Sequence, residues 1–407
     1  MAYCKTKVCL FGIIALCLAT SLLYAYLRPA SILPEKDSVH YDAIGLNLAL
    51  GQGFSLDGEK PTALRGPVYP LFLAGIYALA GHNYQAVWAV QVILHLVNCW
   101  LIFLLAKTAY REQVGLAAAL LYALYPAFAF YPGLIMTETV TLSLLLAAML
   151  LLAQAVRRDS LALSTISGLF LGLATLCKPT TLLFPLFLGL IWLIQKRGHA
   201  LVRYGLLLTL SMILVIAPWT IRNYLAFGKV VPVSVFAGYN LLLGTIPRDD
   251  TTFDLAAFAA DYWTEPISKD RAALLAGVNK IAADPVAYAS MMPSKLVYFL
   301  LPDGMFVIGD SQTPQAILLI LYQLLLLGLA FVGWRHTLSS PTTLLFLSLV
   351  VYFVLMHLVI ISTPRFNVPI MPYILILSAV GLKAVYRYIR QWRAPYRLAQ
   401  KWLYSSR

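Results

Sequence analysis

Charge is what this sequence has least of. Charged residues make up 12% of its 407 positions, where a soluble domain carries about a quarter. Acids are the scarcer sign, 17 against 30 lysines and arginines. With a mean hydropathy of +0.79, a water-soluble globular enzyme is excluded. Cysteine is sparse too. Cys4, Cys9, Cys17, Cys99 and Cys177 lie in or beside apolar runs with no paired spacing, which argues against a disulfide framework or a zinc site. No small-x-small cleavage site follows the first apolar run, so it reads as an uncleaved anchor rather than a signal peptide. No repeat recurs at a fixed period, which weakens a transporter built from duplicated halves.

What the chain has in quantity is apolar runs of membrane-crossing length. They predict an all-α polytopic membrane protein with about ten spans, near 8–27, 84–106, 114–131, 137–156, 161–177, 180–195, 204–221, 314–334, 342–361 and 367–387. Residues 68–79 and 293–301 are apolar but short, and are read as helices lying in or dipping into the interface. The chain is read as one membrane-embedded domain over 1–407, with a first polar loop at about 28–83, a second at about 222–313 and a basic tail at about 388–407. Ten spans with an inside N-terminus place 17 of the 30 basic residues on the inner face against only Glu112 and Asp159. A bias of that size is a topology signal. A full span at 68–79 would invert everything after it. The basic tail fits anionic lipid heads better than nucleic acid.

The scarce charges gather in the outer loops. The first loop holds Glu35, Asp37, Asp42, Asp57 and Glu59 and reads as one wall of an active site. Asp37 at the start of a short helix is either a cap or a general base for an acceptor hydroxyl, with Asp42 as the neighbouring alternative. Asp37 and His40 alone are too few for a metal site. Arg65, in PTALRGPVYP, suits a phosphate through its planar fork or a lipid headgroup. Glu138, in TET, either complements a helix dipole or is a second carboxylate facing Asp37. Lys178 in KPT, Arg222 in PWTIRNYLAFG and Arg365 in PRFNVP come from three further places. With Arg65 they are expected at one depth on one face, where a lipid phosphate would explain them. His95 and His357 read as packed or pore-facing residues in spans.

In order, the motifs are DSVHYDAIGLNLALGQGFS, PTALRGPVYP, TET, KPT, PWTIRNYLAFG, GYNLLLG and PRFNVPIMP. Together they resemble the GT-C superfamily of integral-membrane glycosyltransferases, most of all the bacterial relatives of dolichyl-phosphate-mannose protein mannosyltransferases, and are similar to the lipid A aminoarabinose transferase. The resemblance covers nearly the whole chain. It implies a sugar donor linked to a polyprenyl phosphate, a glycan, lipid or protein acceptor, no nucleic acid, and transfer with inversion at the periplasmic or extracellular side of a bacterial inner membrane, with both termini cytoplasmic. Asp37 matches the first-loop catalytic acid and Glu138 the second acidic position, near the acceptor or a metal. Arg65, Lys178, Arg222 and Arg365 match the regions that hold the lipid phosphate. His40, Tyr41, Tyr239 and Asn240 are expected to make acceptor or loop contacts. The motifs point to no certain cofactor, and a divalent metal stays open. DSVHY departs from a double-acid motif, which keeps Asp42 open as the base. The soluble C-terminal domain of some relatives is missing, so acceptor recognition is expected from the outer loops or a partner. A nucleotide-sugar donor is disfavoured, since no soluble nucleotide-binding domain is visible. A transporter or flippase of lipid-linked sugars is the alternative, though its ionisable groups would be expected near the bilayer middle.

Overall fold

The structure is a computed structural model. It describes residues 2–27, 37–196, 199–248, 265–302 and 314–405, with residues 250, 253–254, 257–258 and 262. Glu35, Lys36, Arg197 and residues 303–313, all parts of the loops and face charges above, lie outside the described residues, as do the side chains of the tail beyond 391.

The helices, in order, are α1 (Ala2–Leu27), α2 (Asp37–Ala49), α3 (Val68–Ala80), α4 (Tyr84–Ala109), α5 (Glu112–Ala123), α6 (Pro126–Phe130), α7 (Glu138–Arg158), α8 (Leu161–Cys177) and α9 (Phe184–Ile194). They continue as α10 (His199–Phe227), α11 (Ala237–Gly244), α12 (Pro266–Ala283), α13 (Pro285–Ser290), α14 (Met292–Leu300), α15 (Pro314–His336), α16 (Pro341–Val359) and α17 (Met371–Ser405). Their starts carry ordinary helix signals. Asn83, Ser160 and Ser340 accept hydrogen bonds from the first-turn amides of α4, α8 and α16, and Pro126 and Pro341 sit where the amide would be unpaired anyway. Among the described residues the only strand-like feature is an isolated bridge between Ser55 and Pro61.

Seven of the described helices are long and apolar enough to cross a bilayer: α1, α4, α7, α10, α15, α16 and α17. The chain is an integral membrane protein. The expected span at 114–131 is not straight. It bends by 63° between Glu112–Ala123 and Pro126–Gly133, because Pro126 cannot continue the helix before it; the described helices give seven crossings, or eight with the bent pair counted as one span. The remaining two of the ten expected spans are the short apolar helices Leu161–Cys177 and Pro179–Ile194. At 17 residues, α8 is about 25 Å long, less than the roughly 30 Å hydrocarbon core. The chain therefore turns at Lys178 and Pro179 at the depth of the bundle's end, not beyond it. The apolar stretch at 68–79 is the 13-residue helix α3, too short to span. It packs against α2, with Tyr41 and Tyr69 edge to face.

The core is one large cluster built from α4, α5, α7, α8, α10, α15, α16 and α17. Helix α7 lies between α4 and α8, α8 packs on α10, and α15 packs along α17. This frame brings the start of α2, the start of α7, the end of α8 and the turn between α16 and α17 to one end of the bundle. At the opposite end Lys107 pairs with Glu112. A cavity of about 620 Å³ there is lined by Arg111, His336, Lys383 and Arg387.

Candidate active site

Five of the predicted residues meet at the first end. Arg65 Nη2 donates to Asp37 Oδ1 at 2.7 Å, and Arg365 Nη1 donates to Asp37 Oδ2 at 3.1 Å. Arg365 Nε donates to Glu138 Oε1 at 2.5 Å, and Lys178 Nζ donates to the same oxygen at 3.0 Å. Arg365 thus bridges two carboxylates that come from helices about 100 residues apart in sequence. With two acids and three cations the cluster carries a net charge of +1.

Each side chain is placed by its own local structure. Asp37 opens α2. Arg65 lies between the rings of Tyr41 and Phe236, at 4.9 and 4.6 Å. The residue after it must be glycine, since a Cβ on Gly66 would stand 2.1 Å from the Leu176 carbonyl oxygen. That contact sets the first loop flush against the end of α8. Lys178 follows the last turn of α8, in extended backbone before Pro179, and lies 5.2 Å from the ring of Phe366. Arg365 sits in a one-turn 3-10 helix, Pro364–Asn367. Asn367 locks that turn by donating to the carbonyls of Phe299 and Leu301 at 2.8 and 2.9 Å. The turn before Glu138 is held by Gln91, whose amide donates to the carbonyls of Pro132 and Leu134.

The two carboxylates differ in access. The Asp37 side chain is 39% exposed and that of Glu138 is 1% exposed. Of the two, Asp37 is the one open to its surroundings. Burial alone would raise the Asp37 carboxyl, but Arg65 and Arg365 hold it well below the usual carboxylate range. His40 is pushed down to about 4, by burial first and by Arg65 next. It is neutral at pH 7, so its Nδ1 accepts from Arg65 Nη2 at 2.9 Å, since a guanidinium has no acceptor to offer. Burial pushes the Tyr41 hydroxyl up to about 12.

Arg222 and Asp42 stand apart from this cluster. Arg222 donates to the carbonyls of Thr62 and Phe54 at 2.8 and 3.4 Å and lies on the ring of Trp219. It clamps the first loop from outside, so three of the four expected cations converge and the fourth braces them. Asp42 accepts from Tyr77 OH at 2.5 Å, from His82 Nε2 at 2.9 Å and from Tyr84 OH at 3.0 Å. It joins α2 to the end of α3 and the start of α4. Tyr239 packs at the edge of an aromatic group with Phe236 and Tyr262, and its amide donates to Asp270. Asn240 offers its carbonyl to Ile361 N.

Sequence reasoning missed what lies under Glu138. Its Oε2, His95 Nε2, Asn98 Oδ1 and Thr139 Oγ1 are buried atoms without a hydrogen-bond partner. The four residues line one cavity of about 10 Å³, the room that a single water needs. The spacing of His95 and Asn98, on one face of an apolar helix, was the available signal. Among the described residues no three His, Cys, Asp or Glu side chains are grouped to hold a metal. A divalent cation fits the present donor set poorly. Both carboxylates already face cations, and two further charges would add to a cluster that is positive before they arrive.

Solved structures share this architecture. The oligosaccharyltransferase of Archaeoglobus fulgidus, in a complex with Zn and sulfate, superposes with a TM-score of 0.56 at 13% identity over 95% of this chain and 51% of that one. The fold is GT-C. A second archaeal structure, AglB from Archaeoglobus fulgidus in complex with an inhibitory peptide and a dolichol-phosphate, aligns with a TM-score of 0.52 at 13% identity and coverage of 95% and 52%. ArnT from Cupriavidus metallidurans bound to undecaprenyl phosphate aligns at 0.45, 14% identity, 92% and 78%. Residues 60–221 match the family model of dolichyl-phosphate-mannose-protein mannosyltransferase. That segment contains Arg65, Glu138 and Lys178 and ends just before Arg222. The chain spans about half the length of the archaeal structures. No curated protein matches the sequence.

Proposed function

We propose that this chain transfers a sugar from a polyprenyl-phosphate-linked donor to an acceptor hydroxyl, with inversion, in a single displacement that uses Asp37 as base. The observation that carries the reading is the cluster's net charge of +1, built from three cations around one exposed and one sealed carboxylate. A donor phosphodiester carries one negative charge and neutralises it. The acceptor oxygen attacks the anomeric carbon, the bond from that carbon to the phosphate oxygen breaks, and the acceptor proton passes to Asp37. The leaving phosphate gains a second negative charge at that moment, and Arg65, Lys178 and Arg365 are the groups that answer it. Arg65 Nε, buried and without a partner, is a donor still free for a phosphate oxygen. Glu138 holds Lys178 and Arg365 in place and stays out of the chemistry.

The same geometry couples donor binding to the base. In the resting cluster Asp37 is a weak base because two guanidiniums hold its proton affinity down. A phosphate that draws Arg365 and Arg65 towards itself releases Asp37, and its proton affinity rises when the donor is in place. No step passes through a metal. The positive-inside rule supports a cytoplasmic position for the end with Arg111, Lys383 and Arg387, and in this reading the cluster faces the outer side of a bacterial inner membrane. A lipid-linked donor and a glycan, lipid or protein acceptor follow from that reading. The flippase alternative is disfavoured by the position of the charges, which lie at one end of the bundle and not at its middle.

The test is release of polyprenyl phosphate from a labelled polyprenyl-phosphate sugar in membranes carrying wild type or Asp37→Asn at matched expression. Release by wild type alone supports the reading. Equal release by the two rules out Asp37 as the base. Movement of intact lipid-linked sugar between leaflets with no release would replace transfer with transport.

A further inference from the structure

A second cavity, apolar over most of its lining but holding two cations, lies at the same end of the bundle. Its volume is about 410 Å³, the size of a small-molecule site. It opens between the end of α11, helix α14 and the extended segment after α16. Arg248, Lys295, Ser290, Ser294 and Ser362 line it, with no carboxylate among the described lining residues. Lys295 is 5% exposed. Its ammonium donates to the carbonyls of Gly244 at 3.0 Å and Val359 at 3.5 Å and lies 5.2 Å from the Tyr288 ring. Arg248 stacks on the Tyr298 ring. Neither cation is paired with a carboxylate among the described residues.

A buried cation without an anion is costly and has to be held in place by its surroundings. Here they do so. A Cβ on Gly244 would meet the Ile360 carbonyl carbon at 2.5 Å, so only glycine lets the end of α11 lie flush on the segment after α16. Ile361 N donates to Asn240 O and Ser362 Oγ donates to Lys295 O, both at 2.9 Å. Three segments thus converge to present one ammonium. Ser362 is three residues before Arg365, which puts the cavity within about 10 Å of the cluster along the chain.

We propose that this cavity docks an anionic group of the acceptor, a phosphate or carboxylate, on Lys295 and Arg248. The proposal rests on the transfer reading and extends it by naming the acceptor's class. An acceptor held there by its charge lies on the Arg365 side of the cluster, and neutral acceptors are discriminated against because they leave the buried Lys295 ammonium unanswered. Burial of Lys295 brings its ammonium down to about 8, so an anion has much to gain by arriving.

The test uses the full chain in nanodiscs and reads acetylation of Lys295 by mass spectrometry at pH 8. In phosphatidylcholine nanodiscs Lys295 is expected to label, and inorganic phosphate to slow that labelling several-fold. Arg248→Gln should label equally but lose most of the protection. Failure to label, or labelling indifferent to phosphate, overturns the site. Protection that appears only in phosphatidylglycerol nanodiscs gives the cavity to a bilayer lipid and overturns acceptor docking. With an anionic acceptor in hand, Lys295→Gln should raise the acceptor KM tenfold or more, about one charge-assisted hydrogen bond, with a much smaller change in kcat, and Lys295→Arg should restore it. If wild type consumes no donor, the transfer reading fails on its own and the labelling result still stands.

Discussion

Asp37 and Asp42 are the same residue type on the same short helix, five positions apart, and the structure gives them opposite surroundings. Five residues turn an α-helix by about 500°, which places the two carboxylates on different faces. Asp37 meets two guanidiniums and keeps 39% of its side chain exposed. Asp42 meets two phenols and a histidine, and its side chain is 12% exposed. Cations paired with an open carboxylate can turn to an arriving anion and leave that carboxylate free. One satisfied by the hydroxyls of Tyr77 and Tyr84 has nothing to gain from a substrate and serves to tie helices together. The pair sets an open, cation-paired acid against a closed, hydroxyl-bonded one.

That contrast breaks first at Asp37. Asp37→Asn is expected to reduce transfer by about 10²–10⁴-fold, the usual worth of a positioned base, with a modest loss of thermal stability from its two ion pairs. Labelled-donor turnover and thermal unfolding in detergent read the two effects separately. Next is Arg365→Gln, which leaves sealed Glu138 with one cation instead of two. Removing one partner of a buried pair costs about 3–5 kcal/mol, a large drop in Tm. Arg365→Lys should recover little of it, since an ammonium cannot bridge both carboxylates. Asp42→Asn should do the reverse of Asp37→Asn. It strips charge from the acceptor of three hydrogen bonds, costs about 1–3 kcal/mol of stability, and leaves turnover per folded molecule near wild type. A strong loss of turnover here would make Asp42 the base. The smallest effect is one of pH. The Asp37 carboxyl lies below its ordinary value, so the stability from its ion pairs is complete above about pH 4 and is lost as pH falls further. The Tm difference between wild type and Asp37→Asn should stay flat from pH 8 to 5 and shrink in stronger acid.

Much of the site was legible because its residues stand out against an apolar background. Asp37, Arg65, Glu138, Lys178 and Arg365 could be named because a charge in such a chain needs a reason. Asp42 and Arg222 looked equally eligible. What separated them was side-chain direction, which the spacing of motifs does not report. Arg222 begins from the expected end of the bundle and turns its guanidinium to the Thr62 and Phe54 carbonyls. The cavity under Glu138 and the cation pair at Lys295 and Arg248 were illegible, because each arises where segments far apart in sequence approach and no one segment carries a sign of it.

By itself the sequence determined the helical class, the short helix at 68–80 and the run of polar loops. Apolar run length and local signals such as Pro126 and Asn83 act within a few residues, so they can be read in order along the chain. Tertiary structure decided which carboxylate is paired with which cation. Arg365 reaches Glu138 across 227 positions and Asp37 across 328. A salt bridge depends on fractions of an ångström between groups that only the packed bundle brings together.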